Sequence, residues 1–210
     1  MTGKLETTTE ATFELPDDSD RFDRVSMVLH WLTVVLIVIQ FSSVWSLRIV
    51  DEKSALGFAI LNTHQSSGVL VWVIGLARLL WRHNFAYLPP FPKSMPKLQQ
   101  TIAKANEYSL YVLLLVQPIT GLGRVLLRGH PFSLFFWEVP PLLEPNDHIR
   151  HLLVEAHELG ANLLLALIAF HVAAALFHRL VLRDSVLQRM LPRMSVRTKL
   201  TPTLAKSEAE

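Results

Sequence analysis

The chemistry open to this 210-residue chain is carried by histidine: it has nine histidines and no cysteine. Four of them, His30, His64, His157 and His171, lie inside long apolar runs or at their edges. An imidazole in apolar surroundings can bridge helices by hydrogen bonds, carry a proton or ligate a metal. His157 and His171 are fourteen residues apart. On a helix that spacing spans roughly 21 Å and returns to within about 40° of the same face. One helix would thus aim two imidazoles in one direction, one near each edge of a bilayer core about 30 Å thick. The remaining histidines, His83, His130, His148, His151 and His178, fall in loops or at helix ends. Among these, His178 shares the His171 face seven residues on and is the rival to it.

The elements that must position these side chains are four apolar helices. The stretch Glu155 to Pro192 organises the chain, and Leu159 to Phe177 within it holds no Asp, Glu, Lys or Arg. Val25 to Leu47 is equally uncharged, and longer than the ~20 residues a spanning helix needs. The predicted helices run from about 22 to 47, 55 to 81, 104 to 127, and from about 147 onward. Pro118 and Gly121 predict a kink in the third. Four prolines between 83 and 103 mark a surface loop. The run RGHPFSLFFWEVPPLLEPND is too short and proline-rich to span, and reads as an interfacial loop or short amphipathic segment.

The expected architecture is all-α: an integral membrane four-helix bundle over residues 21–192, with a disordered tail at 1–20 and a polar tail at 193–210. The polar, acidic start has no cleavable signal pattern, so the first span reads as a signal anchor. Lys and Arg crowd one side: Arg21, Arg24, Arg78, Arg82, Lys93, Lys97, Lys104, Arg179, Arg183, Arg189, Arg193, Arg197 and Lys199. Arg48, Lys53, Arg124, Arg128 and Arg150 on the other side are mixed with acids. This bias predicts a multi-pass membrane protein of four spans with both termini cytoplasmic; the bacterial inner membrane as its location follows only from the family resemblance given below. Because the arginines flank apolar runs, they do not read as a nucleic-acid surface.

That topology sorts the four histidines by depth. His30 and His171 fall toward the cytoplasm, and His64 and His157 toward the outside. Each pair could clamp a flat metal macrocycle between two helices. Haem b suits, because its iron accepts two axial imidazoles and needs no cysteine. Small residues after the fourth-helix histidines (Gly160, Ala161, Ala174, Ala175) leave room for a porphyrin plane. Arg124, Arg128 and Arg150 outside, and Arg78, Arg82 and Arg179 inside, are candidates to pair with propionates.

At this level the chain resembles the bacterial cytochrome b561 family, within the wider group that includes hydrogenase-type cytochrome b subunits. The resemblance rests on LHWL (Leu29–Leu32), NTHQSSG and ARLLWR in helix 2, LY…QPITG in helix 3, and AHELGAN, FHVAAALFH and LVLRDSVLQRMLP in helix 4. It implies a four-helix membrane bundle with two haems b, His30, His64, His157 and His171 as iron ligands, and electron exchange with ubiquinone. Some members oxidise superoxide at the periplasmic face. Many members also carry a histidine four residues before the helix 3 tyrosine. Here Glu107 stands before Tyr111, so the inner pair falls to His30 and His171.

Two other functions fit the same pattern. A haem-bearing anchor for a soluble dehydrogenase or hydrogenase would co-purify with a larger subunit. A histidine-lined metal transporter is disfavoured, since no acidic residue lies deep in a span. The sequence assigns no catalytic residue and identifies neither a periplasmic donor nor a quinone site.

Overall fold

A computed structural model describes residues 21–92 and 95–191. The expected tails at 1–20 and 193–210 lie outside the described residues. Four long helices follow one another: α1 (Arg24–Ser46), α2 (Ala55–Asn84), α3 (Lys97–Leu126) and α4 (Asp147–Phe177). Three of them begin at polar caps. Asp23, Ser54 and Asn146 each accept the backbone N–H three residues on, so an otherwise unpaired donor is satisfied. The third helix starts seven residues before its expected beginning, because Pro96 opens it instead of ending a loop. It continues through Pro118 to Leu126.

The proline-rich run between α3 and α4 folds as a small antiparallel hairpin, β1 (Phe132–Leu134) against β2 (Trp137–Val139). At its turn Phe135 adopts a left-handed φ of 54°, which costs a bulky residue about 1–2 kcal/mol. Two α2 side chains hold it there. Asn62 donates to the Phe135 carbonyl (2.8 Å), and the Phe135 N–H donates to Ser66 Oγ (2.6 Å).

Beyond α4 the chain makes one wider π turn (His178–Leu182), passes a left-handed Arg183, and folds back. This terminal clasp reaches across the bundle end. Met190 O accepts from Trp31 Nε1 (2.9 Å), Arg189 O from Phe22 N (3.3 Å), and Leu191 O from Arg21; Arg189 itself is buried and donates to Pro90 O.

The helices pack most closely as α1 with α2 and α3 with α4. The apolar core centres on one buried side chain from each helix, Leu36, Val71, Leu114 and Leu164, with Ile37, Ile74, Leu110, Leu113 and Ile168 packed against them. Leu164 is seven residues from His157 and seven from His171, so it lies midway between them. Many other apolar side chains face away from the bundle; Val28, Val38, Leu80 and Leu180 are each about 60% exposed or more. In water such a surface would aggregate, whereas in lipid it is the expected exterior. By length and composition, α1, α3 and α4 with its π extension can each cross a membrane. The second helix falls below that mark because of a polar stretch from Asn62 to Gly68. Within this stretch Ser66 and Ser67 are buried in the bundle, while Thr63 is exposed. The chain is thus a membrane helical bundle.

Candidate functional site

The four histidines come together as two pairs. Near the hairpin end, the rings of His64 (α2) and His157 (α4) lie 6.3 Å apart, at 85° to one another. Near the terminal end, His30 (α1) and His171 (α4) lie 6.4 Å apart, at 58°. Two imidazoles bonded axially to one metal, at about 2.0 Å each, place their ring centres about 6 Å apart. Both pairs therefore have the separation that a flat macrocyclic metal centre requires.

The fit extends to the other ring nitrogen. A ligating histidine usually gives its non-ligating N–H to an acceptor, which fixes the ring and leaves a lone pair for the metal. At the hairpin end both rings are held this way. His64 Nδ1 lies 3.1 Å from Ser43 Oγ, whose own proton goes to Gln40 O (2.7 Å). His157 Nδ1 lies 3.1 Å from both Gln117 O and Thr120 Oγ1. In each case Nε2 is the nitrogen left to bind. At the terminal end His171 Nδ1 faces the Asn106 amide at 3.5 Å, and His30 Nδ1 meets no hydrogen-bond partner among the described residues.

Backbone carbonyls of the hairpin-end histidines are held too. Gln40 Nε2 donates to His64 O (2.8 Å), and Gln117 Nε2 donates to His157 O (2.9 Å). Gly160 makes this possible on α4: a Cβ there would sit 2.6 Å from Gln117 Oε1. The space expected for a porphyrin at Gly160 is thus occupied by the glutamine, while Ala161 lines the cavity. That cavity, about 430 Å³, opens between His64 and His157 and has Phe132 and Leu134 of the hairpin in its wall. It is of the size typical for a small-molecule or cofactor site. Arg48, Arg124, Glu52 and Glu158 also line it.

The arginines predicted to meet propionates have varied surroundings. Arg124 lines the cavity. Arg150 pairs with Asp147 (3.0 Å), and Arg82 with Glu107 (2.8 Å). Arg78 stacks over the Tyr111 ring at 5.1 Å. His178, the rival to His171, gives Nδ1 to Asp184 Oδ2 at 2.6 Å within the clasp.

Sequence reasoning named the histidines but passed over the glutamines. A signal for them exists. Gln40-x-x-Ser43 on α1 and Gln117-x-x-Thr120 on α3 repeat one pattern, each serving the histidine of the following helix.

Comparison with known proteins identifies the family. The family model described as prokaryotic cytochrome b561 matches residues 21–193. Cytochrome b561 homolog 1 of Escherichia coli (strain K12) is 30% identical over 174 residues, covering 83% of this chain and 98% of that protein. A probable superoxide oxidase, CybB, of Yersinia pestis is 28% identical over 173 residues, covering 82% and 97%. Cytochrome b561 homolog 2 of Escherichia coli (strain K12) is 26% identical over 178 residues, covering 84% and 94%. A bundle of membrane helices with paired interior histidines, matched over nearly all its described length, belongs to the prokaryotic cytochrome b561 family, and the chain is therefore a bacterial membrane cytochrome of the b type that serves in electron transfer.

Proposed function

We propose that the chain holds two haems b in series, His64/His157 near one membrane face and His30/His171 near the other. It passes single electrons between a periplasmic donor and the ubiquinone pool of the inner membrane. The observation that carries this reading is the pair of ring separations, 6.3 and 6.4 Å, on a shared α4. The cationic end, with Arg21, Arg24, Arg78, Arg82, Arg179, Arg183 and Arg189, faces the cytoplasm, and the hairpin faces the periplasm. All four helices span, with Ser66 and Ser67 of the polar stretch of α2 buried in the bundle.

Haem b supplies one-electron exchange at iron when bound. The protein does the rest. The four histidines would hold the iron, and Ser43, Gln117 and Thr120 engage Nδ1 at the periplasmic pair and leave Nε2 free there. Leu36, Val71, Leu114 and Leu164 keep water from the space between the pairs. Arg48 and Arg124 stand at the periplasmic mouth beside Glu52 and Glu158, and they are the groups there that an anionic donor would meet favourably. Superoxide is such an anion, and one relative is named as a probable superoxide oxidase.

The test is the reduced-minus-oxidised spectrum of the purified protein with its haem-to-protein ratio. The expected result is a b-type α-band at a ratio of two. A ratio of one means that one pair does not bind, and the absence of the band overturns the reading.

A further inference from the structure

The two histidine pairs have the same separation but unlike surroundings. At the hairpin end both Nδ1 atoms meet oxygen at 3.1 Å: Ser43 Oγ for His64, and Gln117 O with Thr120 Oγ1 for His157. At the terminal end His30 Nδ1 is buried with no hydrogen-bond partner among the described residues. His171 Nδ1 has only the Asn106 amide at 3.5 Å, at the limit of a hydrogen bond.

An N–H donated to oxygen pushes electron density into the ring and makes the opposite nitrogen a stronger donor to a metal. A stronger donor favours the oxidised metal, which carries the greater charge. Hydrogen bonding around an axial ligand is one of the levers by which a protein sets a haem potential.

A cation stands near each pair. Arg78 lies close enough to His30 and His171 to act on both electrostatically, and it stacks on Tyr111, which carries no charge to offset it. The neighbouring carboxylate, Glu107, is already paired with Arg82. A nearby positive charge favours the reduced metal. At the hairpin end Arg124 acts likewise on both His64 and His157, with Glu52 and Glu158 in the same wall, so the hydrogen bonding is what separates the two sites.

Building on the two-haem reading above, we propose that Ser43, Gln117 and Thr120 are positioning residues that make the His64/His157 site the harder of the two to reduce. The protein then has a built-in direction. Electrons run downhill from the hairpin end to the terminal end, from periplasm to cytoplasmic side, whichever donor supplies them.

The experiment is a redox titration of the full-length protein with both haems bound, followed optically at the α-band and by electron paramagnetic resonance. The wild type is expected to give two midpoints. Ser43→Ala and Thr120→Val each remove one oxygen near an Nδ1. Each is expected to raise the lower midpoint and leave the upper one in place. A bond of this kind changes the reduction equilibrium by about tenfold, which is about 59 mV for a one-electron couple. Arg78→Met is expected to lower the upper midpoint alone. If the hydroxyl variants move the upper midpoint, or move neither while two haems remain bound, the proposal is overturned and the two-haem reading stands. A wild-type ratio below two overturns both.

Discussion

Arg82 and Glu107 meet fork to fork: Nη1 lies 2.8 Å from Oε1 and Nη2 lies 3.1 Å from Oε2. The pair ties the terminal end of α2 to α3 beside the His30/His171 site. Glu107 stands where a histidine would make α3 a competing source of ligands, and here it is engaged by arginine. Glu107→Gln is therefore expected to keep both haems. The pair is partly exposed, with side chains at 21% and 32%, so the loss should be about 1 kcal/mol or less. Thermal unfolding and the haem ratio check this; loss of a haem would place Glu107 in the site.

His30→Ala and His64→Ala should each halve the α-band and leave the other half with unchanged potential, because the two pairs share no side chain. The double variant should have no band. Full retention of both haems in His30→Ala would make His30 a packing residue.

His178→Ala should keep both haems. Its ring is tied to Asp184 at 2.6 Å, whereas His171 faces His30. The substitution is expected to loosen the clasp, seen as faster proteolysis near Arg183. A halved α-band would reverse the assignment of His171.

Glycine at 121 sets the position of a ring. A Cβ there would lie 2.9 Å from His157 Cε1 and 3.3 Å from Nδ1. Gly121→Ala is expected to displace the imidazole, reduce occupancy of the hairpin-end site and cost about 1–3 kcal/mol. Gly75→Ala is the control, since its Cβ would meet Leu115 at an ordinary 3.6 Å. Equal spectra for the two variants would remove the steric argument.

Acid should loosen the start of α1. Burial pushes the Asp23 carboxyl up, but hydrogen bonds from the Ser26 hydroxyl, the Ser26 N–H and Trp81 outweigh it and hold the pKa below the usual 3.8. A lowered carboxylate contributes stability that is complete above the unfolded value and is lost as pH falls through the folded one. The loss therefore belongs below pH 3.8. Asp23→Ala removes the cap at neutral pH, at about 1 kcal/mol. Melting curves of both proteins from pH 7 down to acid should converge; parallel curves would deny the cap its role.

The helices were legible because uncharged runs of spanning length leave the chain little alternative. The pairing of His30 with His171 and of His64 with His157 followed from depth alone, since each helix reverses direction. What surrounds the rings was not legible. Gln40 and Gln117 look like stray polar residues in apolar runs until the neighbouring helix brings a histidine carbonyl to each. The hairpin was also hidden. Its turn needs Phe135 in a left-handed conformation that nothing in the local sequence favours, and that Asn62 and Ser66 hold from another element. The clasp escaped notice because Arg189 is buried by contacts to Pro90 and Phe22, more than ninety residues away.

The apolar core around Leu36, Val71, Leu114 and Leu164 has an electrical meaning. It offers no side chain that could relay a proton, yet sites about 21 Å apart on α4 face each other through it. An electron crossing it travels without a compensating ion, over roughly two-thirds of a core about 30 Å thick. In the two-haem reading such a step would be electrogenic. Moving a full charge across the whole membrane changes the energy by about 2.3 kcal/mol per 100 mV, so the transmembrane voltage would act on this protein's rate as directly as the supply of its donor.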